Sequence, residues 1–139
     1  MTSAEIRENI RYNENLLYSY QNSVRQLNSK IQQLQRLRSK LQSLQGQFQG
    51  RQSTRKSKLS NISSNKLNIK MAKTYISGMN SLLNGSEYAS AYNGISSSQE
   101  SVNSKIRSIQ REVDSYNYKV FYHRDRISYW QRQLRYADD

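Results

Sequence analysis

Catalysis and metal binding need polar side chains that can meet, and this chain offers few of the right kind. It has one histidine, His123, and no cysteine. A zinc site built on paired histidines or on thiolates therefore has no ligands to draw on. His123-Arg124-Asp125 matches the opening of the kinase catalytic loop. The asparagine that should stand five places after the aspartate is Trp130, however, and no glycine-rich loop accompanies it. No nucleophile, base and orienting group can be assembled around the single histidine, so the chain reads as a non-enzyme without catalytic residues, metal or cofactor. Asn61-Ile62-Ser63 and Asn84-Gly85-Ser86 fit the glycosylation pattern, which carries weight only in a secreted chain.

Recognition chemistry is better represented. Phe121 and Asp125 stand i to i+4, which on a helix puts a ring and a carboxylate one turn apart. Tyr118, Tyr122 and Tyr129 lie around them. Where these side chains point depends on the element that carries them. Between Tyr88 and Leu134, apolar or aromatic residues fall at Tyr88, Tyr92, Ile95, Val102, Ile106, Ile109, Val113, Tyr116, Val120, Ile127, Trp130 and Leu134. With Gln99 and His123 as the polar members, the steps along this seam alternate between three and four. Such a repeat keeps one stripe of a helix against a partner helix. With Val120 and His123 on the stripe, Tyr118, Phe121, Tyr122, Asp125 and Tyr129 turn away from it. A solvated helix face seldom carries so many aromatics, so these residues are expected to meet a partner or a further neighbouring helix.

The first half of the chain reads as helix as well. Thr2 and Glu5 have capping-box spacing, which predicts a start at Ser3 or Ala4. The apolar positions then run Ile6, Ile10, Leu17, Tyr20, Val24, Leu27, Ile31, Leu34, Leu37, Leu41, Leu44 and Phe48. The doubled step of three at Leu34 to Leu37 reads as a stammer with a change of seam. Gly46, Gly50 and the polar RQSTRKSK predict a connection near residues 46–55. The expected elements are a helix over about 4–45, a helix over about 55–83, a turn region at 84–97 and a helix over about 98–136. Asn84-Gly85 and Asn93-Gly94 are the turn signals, and Ser97 and Glu100 again have capping-box spacing. Because the heptad phase persists through Tyr92, Ile95 and Val102, a helix running straight through Gly94 is the alternative. The fold class is all-α: one domain, an elongated antiparallel helical bundle or coiled-coil hairpin of two to three long helices.

Composition and charge narrow the partners. The chain has 139 residues, no proline, a mean hydropathy of −0.98 and a net charge of +12, which suits long helices around a thin core. No apolar run is long enough to span a membrane, and MTSAEIREN lacks an apolar signal region. A cytoplasmic protein is expected, with export by a signal-peptide-independent route as the alternative. Between Asn15 and Ser86 there is no acidic residue against twelve Lys and Arg. Arg51, Arg55, Lys56, Lys58, Lys66, Lys70 and Lys73 form its basic surface, and an acidic partner surface is implied.

These features together resemble the small W-x-G-like companion proteins of LXG toxins, encoded in type VII secretion loci of Gram-positive bacteria. The matching residues are Phe121 and Asp125, in the position of an export-type F-x-x-x-D motif, and Tyr92-Asn93-Gly94, in the position of the aromatic-x-Gly turn. Tyrosine replaces the tryptophan of the W-x-G pattern. The resemblance implies a targeting or chaperone protein that binds the helical N-terminal domain of a toxin, with a second small helical companion and the secretion machinery as further partners. Two other classes compete with it. A basic coiled-coil nucleic-acid-binding protein would use the acid-free stretch on phosphates, although its basic residues form no dense run. A self-assembling structural or adaptor coiled coil would pair its seam with another copy.

Overall fold

A computed structural model describes residues 1–64 and 70–137 of the chain. The fold is all-α: α1 spans Ser3–Ser64, α2 spans Lys70–Asn84 and α3 spans Ser86–Arg135. No strand occurs among the described residues, and no helix among them is long and apolar enough to cross a membrane. The capping box forms as its spacing predicts. The Thr2 backbone N–H donates to Glu5 Oε2 at 2.8 Å, and the Glu5 N–H donates to Thr2 Oγ1 at 3.2 Å. At the other end, Arg132 and Arg135 occupy the last turn of α3, where the helix dipole favours cations.

Two of the predicted breaks are absent. Helix α1 continues through Gly46 and Gly50, so the connection expected near residues 46–55 does not exist. A glycine inside a helix costs about 1 kcal/mol relative to alanine, less than the packing contributed by seam residues on both sides. Leu41, Gln45, Phe48 and Gln52 are half-buried here and Leu59 is buried. Of the residues expected to form a helix from about 55 to 83, 55–64 belong to the end of α1 and 70–83 to α2, while 65–69 lie outside the described residues. The turn itself falls at Gly85, inside the expected 84–97 window, and α3 begins at Ser86 rather than near Ser98. A Cβ at Gly85 would lie 2.6 Å from the Ser81 carbonyl oxygen, so only glycine lets the chain approach α2 this closely. Tyr92-Asn93-Gly94 is helical, which corrects the aromatic-x-Gly turn. Helical geometry holds there because Tyr92, Ile95 and Gln99 stay in phase with the rest of the α3 seam.

The packing divides into two compact units, Met1–Leu34 with Lys105–Asp139, and Gln35–Ser104. In the first unit, α1 and α3 run antiparallel around Ile31, Ile109 and Val113, with Val24, Leu27, Leu34 and Ile106 packed against them. Tyr20 meets Tyr116 at 5.8 Å between ring centroids, and it stacks on His123 at 5.6 Å. In the second unit, Phe48 stacks on Tyr88 at 4.7 Å, and Tyr88 lies 6.3 Å from Tyr92.

The stammer expected at Leu34 to Leu37 is absent as well. Leu37 and Leu44 are 44% and 51% exposed, while Arg38 and Gln45 are half-buried in the seam positions beside them. Counted through Ser3, Ile6, Ile10, Asn13, Leu17, Tyr20, Val24, Leu27, Ile31, Leu34, Arg38, Leu41, Gln45 and Phe48, the steps alternate between three and four without interruption. The seam therefore keeps its course, and Leu37 and Leu44 lie beside it. Arg38 is held there by a 3.0 Å hydrogen bond from Nη1 to Asn103 Oδ1, and its aliphatic stem serves as seam packing.

Candidate functional site

The exposed face of α3 is set by what its opposite face buries. Val113, Val120 and His123 are buried against α1, as the seam predicts. Rotation by about 100° per residue then carries the intervening positions outward. Tyr118 is 75% and Phe121 68% exposed, and Tyr122, Asp125 and Tyr129 are exposed beside them. Neighbouring side chains orient two of these rings. Tyr122 stands edge-on to His123 at 5.0 Å, and Tyr129 stands edge-on to Trp130 at 5.0 Å. The Arg126 guanidinium lies 4.7 Å from the Tyr129 ring and 5.2 Å from that of Trp130, a cation–π arrangement that steadies both. Lys119 does the same for the inner rings, with Nζ 5.3 Å from Tyr20 and 5.2 Å from Tyr116.

Phe121 also forms one wall of a groove between α1 and α3 in the first unit. This groove encloses about 580 Å³ and is lined by Gln21, Val24 and Arg25 of α1 and by Asn117, Val120, Phe121 and Arg124 of α3. Its floor is apolar, its rim carries two guanidiniums and two amides, and no carboxylate lines it.

Behind this surface, the single histidine is committed to the seam. His123 Nδ1 lies 2.8 Å from Asn13 Oδ1, and the Asn13 Nδ2 group donates to the Asn9 carbonyl at 2.8 Å. That second bond fixes the Asn13 amide with its oxygen toward the ring, so Nδ1 carries the proton and donates. Burial holds the imidazole below its usual pKa. No group of three His, Cys, Asp or Glu side chains that could hold a metal ion occurs among the described residues.

The second unit carries most of the expected basic surface. Arg51, Arg55, Lys58 and Lys73 are exposed and Lys56 is half-buried, while Lys66 and the side chain of Lys70 lie outside the described residues. Arg51 and Arg55, one turn apart, line a groove of about 320 Å³ with Phe48, Gln52, Leu82, Glu87 and Tyr88. Their guanidiniums thus share a site with a carboxylate that the acid-free stretch itself does not contain. Tyr92 and Gly94 are parts of α3, with Tyr92 half-buried in the seam and the Gly94 carbonyl accepting a 2.9 Å bond from Ser98 Oγ.

No family model, curated protein or solved structure matches this chain. Its surface is therefore read from its own chemistry. The structure brings Tyr118, Phe121, Tyr122, Asp125 and Tyr129 to the exposed side of one helix and leaves Tyr92, in the seam, and the exposed Gly94 in the second unit. Sequence reasoning missed Arg25, Arg124, Gln21 and Asn117. A signal for three of them was present: Gln21, Asn117 and Arg124 each follow the second residue of a three-residue seam step (Tyr20, Tyr116 and His123), the e positions that flank a helix–helix contact.

Proposed function

We propose that the chain is a non-enzymatic helical interaction protein that binds the helical N-terminal domain of an LXG-type toxin and helps target it for type VII secretion. One observation carries this reading. Phe121 and Asp125 stand exposed, one turn apart, on a helix whose hydrophobic stripe is already covered by α1. Three tyrosines extend the same face, and rigid aromatic side chains of this kind supply contact area at low entropic cost. The long helices offer a partner helix surfaces with i, i+3 and i+4 spacing, the usual geometry of helix-in-groove recognition. Tyr92-Asn93-Gly94, being helical, lends no support, and the reading rests on the late helix alone.

The test is export of a co-produced toxin. Asp125→Ala is expected to abolish toxin export while the toxin domain still co-purifies with the chain, because Asp125 lies outside the groove that Phe121 borders. Phe121→Ala is expected to weaken both. Export that is unchanged in the Asp125→Ala and Phe121→Ala chains refutes the assignment.

A further inference from the structure

The groove of the first unit has the form of an unfilled helix position. Helices α1 and α3 bury one stripe each against the other, and two such helices leave a furrow that a third helix fills in a bundle. Its floor is made by Val24 and the buried Val120, and its wall by Phe121, which remains 68% exposed. The antiparallel pairing of Asn13 with His123 and of Tyr20 with Tyr116 sets Arg124 toward one end and Arg25 toward the other.

We infer that this groove takes a third α-helix supplied by the toxin domain, apolar toward Val24, Val120 and Phe121 and carrying carboxylates that meet Arg25 and Arg124. This inference rests on the proposed function and adds to it the site and the chemistry of the partner. Charge complementarity identifies the occupant. Two guanidiniums from different helices rim an apolar floor, and no lining residue offers them a carboxylate. Arginine in such a position binds carboxylates through a planar, often bidentate fork. Gln21 and Asn117 can donate or accept at the rim, so they tolerate the polar edge of the incoming helix. A second copy of this chain docking groove to groove fits less well, because both copies would bring the same two guanidiniums and no carboxylate.

Calorimetric titration of the full chain with the toxin's helical N-terminal domain tests this. The double variant R25E/R124E is expected to lower affinity at least tenfold, and R25Q/R124Q to lower it in the same direction. Both should retain the wild-type melting temperature, since neither side chain is buried. The K105E/R111E chain, altered at two exposed basic residues outside the groove, should bind as the wild type does. Wild-type affinity in R25E/R124E overturns the groove assignment and leaves the proposed function standing. Failure of the wild-type chain to bind the domain overturns both. Sedimentation of the chain alone as a dimer that R25E/R124E dissolves gives the groove to a second copy and likewise overturns the inference.

Discussion

Asn13 and His123 are the residues on which the seam of the first unit is most exacting. Each is buried, and each satisfies the other across 110 positions of sequence. Asn13→Ala removes the acceptor and leaves the Nδ1–H of a buried ring unpaired, so a loss of about 1–3 kcal/mol in chemical denaturation is expected. The pH dependence has a definite sign. Burial lowers the folded-state pKa of His123, so as pH falls below about 6.5 the unfolded chain takes up a proton before the folded one does. Stability is full above that point and declines as pH falls toward the folded pKa. Melting temperature should therefore drop as pH falls below about 6.5, and His123→Gln should flatten that slope. A slope that survives the substitution assigns it to other groups. Glu5 acts in a lower window. Its carboxylate is held below the usual range chiefly by the Thr2 backbone N–H, so its contribution is present near neutrality and is lost only in acid. His123 was legible as a seam residue from its phase, while its partner was not. The only trace of Asn13 is the gap of seven between Ile10 and Leu17, which periodicity leaves blank because it registers apolar residues alone.

The helices show where local preference yields to packing. Gly46, Gly50 and Gly94 sit inside helices with open space around the position of a Cβ, and Gly85 sits against the Ser81 carbonyl. Gly46→Ala and Gly50→Ala should each stabilise by up to about 1 kcal/mol. Gly85→Ala should destabilise, because the clashing atom belongs to the backbone and cannot move aside cheaply. Thermal melts of the three variants check this, and a destabilised Gly46→Ala would contradict a continuous α1. The polar seam residues are matched between helices. Gln99 Nε2 donates to Gln45 Oε1 at 3.1 Å, Gln45 Nε2 donates to Ser96 Oγ at 2.6 Å, and Arg38 bonds Asn103. Paired polar positions of this kind fix register at some expense of stability, because a slipped pairing would leave each unpartnered. Leu37 and Leu44 hid this arrangement from the sequence, since each lies beside the polar residue that holds the true seam position.

At the scale of the whole molecule, the governing quantity is charge. The net charge of +12 arises from the acid-free stretch, to which Arg25 of the groove belongs, and no carboxylate lines that groove. Binding of the toxin domain should weaken from roughly 0.1 M to 1 M salt, as the screening length falls from about 10 Å to about 3 Å. R25E/R124E should lose part of that dependence, and an affinity constant across the range would contradict a carboxylate-bearing partner helix. By itself the sequence determined the all-α class, the capped start at Ser3 or Ala4, the seam of α3 and the outward turn of Tyr118, Phe121, Tyr122, Asp125 and Tyr129. All of these follow from caps and a helical period, which are properties of neighbouring residues. Only the tertiary structure decided that α1 runs through Gly46 and Gly50, that Tyr92 to Gly94 is helix, that Asn13 faces His123, and that Arg25 and Arg124 rim one groove. Those outcomes depend on the register between residues far apart in the chain, where the summed packing of a long seam outweighs a local preference of about 1 kcal/mol.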